Sequence, residues 1–298
     1  MSAAVKPIAL VTGATDGIGK VTALELAKRG FRVVMAARNA SKAEAIKSEI
    51  VAASGTRDVD CLIADLASLR QVRQMAEAFR KRYSMLDALI NNAGVFLPTR
   101  TETEDGYETT FQVNYLSHFL LTHLLLDPLK KSAQGRIINL SSSVHSVGKF
   151  DVHNLQSEKR FSVLGTYSAS KLLMLMFTEE LAKRLGGTRV TANAVHPGIV
   201  RTSMMLRAPG VFRIVSLLSM PFSVAPERGA GTSVHLATSP AVRAMTGQYF
   251  TSSRPSAVKN KFDTEENRAL LWELSMKALH VDDLIAAPAA SQPTGGAM

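Results

Sequence analysis

A short apolar run, Ile8-Ala-Leu-Val11, ends in Thr12-Gly13-Ala-Thr15-Asp16-Gly17-Ile18-Gly19, and a helical pattern carrying Leu24 and Leu26 then leads to Arg29-Gly30. Residues 31–37, Phe-Arg-Val-Val-Met-Ala-Ala, read as a second strand, so the chain opens with a βαβ unit. Parallel strands require such a crossover, which commits the chain to a sheet flanked by helices. Glycine at positions 13, 17 and 19 lets the backbone turn tightly and approach a pyrophosphate, whose charge would meet free N–H groups at the helix amino terminus. The spacing is GxxxGxG rather than GxGxxG, and a glycine-rich turn ahead of an ordinary helix is the other reading.

The alternation continues. A polar helix over 41–54 leads to a third strand at 59–63 and then to Ala64-Asp65-Leu66; Asp65 either belongs to a ligand site or caps the helix that starts near Ser68. The next helix reaches Tyr83. A fourth strand at 87–90 ends in Asn91-Asn92-Ala93-Gly94, where side-chain amides and small residues can hold a strand end and line a flat ligand. Helical spacing returns over 106–129 with Asn114 among apolar residues, and a buried Asn must either bridge neighbouring backbone or hold a water.

The fifth strand, 136–140, is followed by Ser141-Ser142-Ser143, and the sixth, 189–195, by His196-Pro197-Gly198-Ile-Val200-Arg-Thr202. A helix from Pro226 to Leu236, a short seventh strand at 248–250 and a helix over 265–279 complete the pattern. The expected fold is α/β: a single-domain doubly wound (Rossmann) parallel sheet of about seven strands with helices on both faces, over 1–285. The apolar stretch 203–224 reads as a substrate lid, and 286–298 as a disordered tail. Every suspected functional stretch falls at a strand's carboxyl end or on an adjacent helix, where open α/β sheets bind ligands.

Tyr167-Ser-Ala-Ser-Lys171 begins a long apolar helix pattern. Residues four apart share a helix face, so the Lys171 ammonium can lie beneath the Tyr167 ring. An ammonium about 4 Å away would lower a phenol pKa by up to about three units, making it a usable acid or base. A core-edge tyrosine beside a solvated lysine is the plain alternative.

The second strand ends at Ala37, where many nicotinamide-binding folds place an acidic residue for the ribose 2′-hydroxyl, and Arg38 follows. A guanidinium there suits a 2′-phosphate, so NADP(H) is expected to be preferred, with NAD(H) still open.

The formal charge of +10 raises the question of nucleic acid or an anionic surface. The cations are scattered near predicted helix ends with no aromatic-interleaved stripe, which argues against nucleic acid. His118 and His123, five apart, do not share a helix face, so no metal site is expected. Neither His145 nor His153 has a convincing partner in sequence. The single cysteine, Cys61, rules out an intramolecular disulfide and reads as a buried strand residue. The first strand begins by Ile8 and no apolar run reaches the roughly 20 residues of a bilayer span, so a cytoplasmic protein is expected, with peripheral membrane contact and homo-oligomer formation left open.

Through TGATDGIG, NNAG, the serine cluster, YSASK and HPG in that order, residues 6–252 resemble the short-chain dehydrogenase/reductase family. The long serine-to-tyrosine excursion carrying His153-Asn154-Leu155, with the Gly17-Ile-Gly-Lys20 turn, resembles its retinol-dehydrogenase-like branch. The resemblance implies that Ser142 hydrogen-bonds the substrate oxygen, Tyr167 exchanges the proton, Lys171 lowers the tyrosine pKa and holds the nicotinamide ribose, and Asn114 positions a water. It likewise implies a cofactor lined by Gly13, Thr15, Asp16, Gly17, Ile18, Gly19, Arg38, Asp65, Leu66, Asn92, Ala93, Gly94, Tyr167, Lys171, Pro197, Gly198, Val200 and Thr202. The expected substrate is a small lipophilic alcohol, aldehyde or ketone. A catalytically silent NADP(H)-binding sensor or scaffold is the alternative, although such proteins commonly lose one of the four catalytic residues and all four are present here.

Overall fold

The computed structural model describes residues 6–198, 200 and 224–283. Among them eight strands form one sheet in the order β3-β2-β1-β4-β5-β6-β7-β8: β1 Ile8–Thr12, β2 Arg32–Ala37, β3 Val59–Ile63, β4 Ala88–Asn91, β5 Arg136–Leu140, β6 Thr191–His196, β7 Tyr249–Thr251 and β8 Arg254–Ser256. The first seven run parallel, and the order reverses at β1, which pairs with both β2 and β4. That reversal opens a crevice at the carboxyl edge.

β8 is the eighth strand against about seven expected. It returns antiparallel onto β7 through Ser252 and Ser253, both in the left-handed region at φ 51 and 62. A type I′ hairpin turn needs positive φ at both central positions, and Ser-Ser lacks the Asn-Gly or Asp-Gly signature that announces one.

β1 is buried on both faces, and its side chains alternate between two cores. Leu10 faces a cluster with Phe79, Phe119, Leu172, Phe177 and Trp272, built by α3 (Leu69–Arg82), α5 (Ser117–Leu124), α7 (Val163–Arg184) and α9 (Glu265–Leu279). Ala9 and Val11 face Leu26, Ile50 and Leu236 from α1 (Gly17–Lys28), α2 (Ala40–Ser54) and α8 (Pro226–Thr238). Residues that can accept from first-turn N–H groups start these helices: Asp16, Asn39, Ser68, Ser162 and Thr264 cap α1, α2, α3, α7 and α9. Ser68 therefore does the capping that Asp65 was considered for. Cys61 lies in β3 as expected but is half-buried rather than buried, because β3 is an edge strand.

The stretch 106–129 is not one helix. A three-residue α-turn, α4 (Thr109–Phe111), passes into a π-helical turn at Gln112–Leu116 and then into α5. The chain breaks at Leu125 before α6 (Leu126–Lys131), where Pro128 has no N–H to continue the ladder. The suspected lid residues 203–223 and the tail 286–298 lie outside the described residues. No described helix is long and apolar enough to cross a membrane.

Candidate active site

The carboxyl ends of β1 and β4 are joined through one buried hydroxyl. Thr12 Oγ1 accepts from the N–H groups of Asn92 (2.9 Å) and Ala93 (3.0 Å) and lies 3.1 Å from His118 Nε2. His118 is fully buried, which pushes its pKa down to about 3, so the ring is neutral. Its Nδ1 lies 3.3 Å from the Asn114 carbonyl oxygen, and the consistent tautomer donates there and accepts at Nε2 from Thr12. Asn92 Nδ2 in turn donates to the Thr12 carbonyl at 2.7 Å.

The glycines are needed for this closure. Gly13 and Gly17 have φ of 64 and 46, in the left-handed region. A Cβ on Gly19 would sit 2.3 Å from Gly13 O and 2.4 Å from Asn92 Nδ2. Asp16 accepts from Gly17 N at 2.7 Å and reaches Lys42 at 3.4 Å, and Thr15 is half-buried in the turn. Ile18 and Val200 close from two sides on Gly229 of α8, where a Cβ would meet them at 3.4 and 2.6 Å.

Arg38 leaves the end of β2 into solvent and has no hydrogen bond or ion pair among the described residues. Ala64 N donates to Ala37 O at 2.9 Å, which puts Arg38 and Asp65 at neighbouring strand ends. Asp65 Oδ1 accepts from Ala67 N in a local turn, and the Leu66 carbonyl accepts from Ser117 Oγ at 2.6 Å.

Three expected residues converge at Gly94, where a Cβ would lie 3.3 Å from Asn114 Oδ1 and 3.7 Å from Lys171 Nζ. The Asn114 amide bridges backbone: Oδ1 accepts from Val95 N (2.7 Å), and Nδ2 donates to Val95 O and Ser170 Oγ (3.0 Å each). Lys171 Nζ donates to Leu140 O at 2.9 Å, and Ser141 Oγ donates to Lys171 O at 2.8 Å. These bonds fasten α7 to the end of β5, beside Ser142. Ser142 is half-buried and caps a 3-10 turn, Ser143–Val147, whose Gly148 packs on Ser168 so closely that a Cβ would lie 2.5 Å from Ser168 O.

The Lys171 ammonium lies 5.6 Å from the Tyr167 ring centroid, on the shared helix face that the four-residue spacing predicts. The phenol shifts opposite to the expected depression. Burial pushes the phenol up to about 12 and the ammonium down to about 8, because both groups lose water and Lys171 spends its contact on Leu140 O. The Phe96 ring packs edge-on against Tyr167 at 5.0 Å.

Two histidines frame Ser142: His145, which had no convincing partner in sequence, and His196 of the His-Pro-Gly motif. His145 Nδ1 lies 2.7 Å from Ser142 O with its ring edge-on to Tyr249, and His196 Nδ1 accepts from Ser143 N at 3.2 Å. Pro197 and Gly198 follow His196 at the end of β6, Gly198 with φ 86. Thr202 lies outside the described residues. No cluster of His, Cys, Asp or Glu suited to a metal occurs among the described residues.

The model of the short chain dehydrogenase family matches residues 7–209, and the chain belongs to this family: it is an NAD(P)-dependent oxidoreductase of a CH–OH group. Within it the chain falls in the retinol-dehydrogenase-like branch. It is 42% identical to Retinol dehydrogenase 12 of Mus musculus over 274 residues, 92% of this chain and 86% of that one. Among solved structures, an uncharacterised protein of Mycobacterium paratuberculosis is 30% identical with a TM-score of 0.76, covering 93% of this chain and 95% of the other. The Pseudomonas aeruginosa RhlG/NADP active-site complex is 28% identical with a TM-score of 0.67, covering 83% and 95%.

Proposed function

We propose that this chain transfers a hydride between NADP(H) and a lipophilic alcohol, aldehyde or ketone, with Tyr167 as the proton donor and acceptor. The observation that carries the reading is the union of Tyr167 and a buried Lys171 on one face of α7, with Lys171 fastened to Leu140 two residues before Ser142. The similarity to a retinol dehydrogenase and to a structure solved with NADP supports the substrate class and the cofactor.

The residues present fit that cofactor. The turn 13–19 ends at the amino terminus of α1, where Asp16 caps the Gly17 N–H, and Gly19 has no room for a side chain. Arg38 supplies an uncommitted guanidinium where β2 ends, and no carboxylate stands at Ala37 to repel a 2′-phosphate. Asp65, Leu66, Asn92, Ala93, Gly94, Pro197, Gly198 and Val200 would line the crevice at the same edge. When bound, the nicotinamide supplies or accepts the hydride.

The chain's own groups handle the proton. A phenol held near 12 is protonated at neutral pH and is a proton donor to a carbonyl oxygen that becomes an alkoxide. Ser142 donates to the same oxygen and fixes its position. Lys171 favours the phenolate left behind and holds the ribose side of the cofactor. Asn114, committed through its amide to Val95 and Ser170, acts in this reading through the π turn it holds open, where its carbonyl meets His118.

A panel of lipophilic aldehydes, ketones and alcohols, followed by absorbance of the reduced cofactor, tests the reading. Turnover is expected with NADPH and lost in Tyr167→Phe. Tight cofactor binding with no turnover across the panel would favour the silent sensor instead.

A further inference from the structure

The carbonyl of Ser142 and the N–H of Ser143 belong to one peptide unit, and a different imidazole holds each end of it. His145 Nδ1 meets the oxygen at 2.7 Å, and His196 Nδ1 accepts from the nitrogen at 3.2 Å. The two contacts fix two tautomers. A ring nitrogen that faces a carbonyl carries a proton, so His145 is protonated at Nδ1; one that receives an N–H is bare, so His196 keeps its proton at Nε2. Burial and the neighbouring His145 both hold the His196 ring below its ordinary pKa, which favours the neutral form that this contact needs.

This peptide lies just past the paired ends of β5 and β6. Ser141 N donates to Val195 O at 2.9 Å, whereas Ser143 N, two residues on, donates to the His196 ring in place of a strand carbonyl. Ser143 is exposed, so without the ring its N–H would turn to water. The peptide unit that joins Leu140 to Ser141 is tied down as well, because the Leu140 carbonyl accepts from Lys171 Nζ at 2.9 Å while the Ser141 N–H reaches Val195. Peptides 140–141 and 142–143 are each held at both polar ends, and Ser142 stands between them. The rings are braced in turn. His145 packs edge-on against Tyr249, 4.8 Å between ring centroids, and Asn260 Nδ2 donates to His145 O at 2.7 Å. His196 ends β6, and Pro197 follows with its φ fixed.

We infer that His145 and His196 are positioning residues which, by clamping the 142–143 peptide between them, aim the Ser142 hydroxyl at the substrate oxygen. This rests on Ser142 donating to that oxygen, as in the proposed function. In both rings the nitrogen nearest Ser142 is committed to backbone, so their influence on the reaction runs through the serine. The charge that the hydroxyl meets develops on the oxygen only in the transition state, so a misdirected serine lowers kcat rather than raising KM.

Asparagine puts an amide oxygen or nitrogen where each Nδ1 stands, so it can keep the contact that alanine loses. With NADPH and the best aldehyde or ketone of the panel, His145→Ala and His196→Ala should lower kcat about ten- to a hundredfold with little change in KM or cofactor affinity. His145→Asn and His196→Asn should recover most of that loss. His196→Leu fills the space without an acceptor and should lose as much as His196→Ala, which keeps the comparison if an alanine variant does not fold. In a Ser142→Ala background, with its residual turnover as the reference, the histidine substitutions should cost nothing further. Imidazole nitrogen chemical shifts of the ligand-free wild type, assigned through the two asparagine variants, should show Nδ1 bare on His196 and protonated on His145. Asparagine variants no better than alanine, losses that add in full to that of Ser142→Ala, or a proton on His196 Nδ1 would overturn the inference. A Ser142→Ala protein that turns over as wild type would overturn the reading of the serine and this inference with it, whereas a loss in Ser142→Ala beside unaffected histidine variants would overturn the inference alone.

Discussion

Lys171 Nζ is 2.9 Å from the carbonyl oxygen of Leu140 and 5.6 Å from the centroid of the Tyr167 ring, so the strand anchors the ammonium beneath the phenol. In the proposed mechanism the tyrosine hydroxyl would serve only the proton, whereas the lysine would serve both phenol and cofactor. Tyr167→Phe should abolish turnover and leave cofactor affinity within a few fold, while Lys171→Ala should damage both. Steady-state rates with a parallel cofactor titration decide it: a Phe variant retaining most of its kcat would remove Tyr167 from the mechanism.

Because the phenol is pushed up to about 12, it stays protonated at neutral pH, so a proton is available to give but little phenolate is present to take one. In the proposed mechanism alcohol oxidation needs the phenolate, so it should speed up as pH rises from about 6 to about 8, where Lys171 still carries its charge, and carbonyl reduction should not. Oxidation that is flat over that range would mean another group takes the proton.

Lys171 also ties stability to pH. Its folded-state pKa of about 8 lies below the ordinary 10.5, so between these values the unfolded chain binds more protons and stability rises with pH. Below about 8 the cost of burying the ammonium is fully present. Lys171→Met removes this dependence, so wild type should gain on the variant between about pH 8 and 10, by at most about 3 kcal/mol. Thermal melts of the two proteins across that window measure it, and parallel curves would show that the lysine is not strained by burial.

Cofactor choice should turn on Arg38. A charge-assisted contact of about 1.5–3 kcal/mol corresponds to about ten- to a hundredfold discrimination. Arg38→Ala should weaken NADP(H) by that factor with little change for NAD(H), and Ala37→Asp should move preference towards NAD(H). Titration of both cofactors against the three proteins settles the matter. Equal affinities in wild type would return Arg38 to the status of a solvated charge.

Two glycines separate space from conformation. Gly19→Ala places a methyl group 2.3 Å from Gly13 O and should eliminate cofactor binding and cost more than about 2 kcal/mol of stability. Gly30 has φ 83 but nothing within 4 Å, so Gly30→Ala should cost only about 1 kcal/mol and leave the cofactor site untouched. Similar cofactor affinities in the two variants would mean that the close approach at Gly19 is not what shapes the turn.

Much of this was legible in the chain because the apolar runs of a buried parallel sheet are continuous and five of the helices start at a capping side chain. The fifth strand and the last helix fall at the expected residues, 136–140 and 265–279. What escaped depends on geometry that residue types do not encode. Ser252-Ser253 turns a hairpin without hairpin residues. The contact between Thr12 and His118 joins positions 106 apart and gave no local signal. The Tyr167 phenol could be paired with Lys171 by counting, yet the direction of its shift is set by burial, which counting along the helix does not reveal.

The π turn at Gln112–Leu116 restricts how this chain can change in length. A π turn holds one more residue than an α turn for nearly the same rotation, so deleting Tyr115 or Leu116 would close it to a regular helix and leave Asn114 and His118 three apart instead of four. The two would then be offset by about 100° and could not both keep their contacts with Val95 and Thr12, although no buried contact of the strands need be lost. Insertions and deletions should therefore be absorbed by the excursion at 149–162 and refused here, where a one-residue edit disconnects the core from the strand ends.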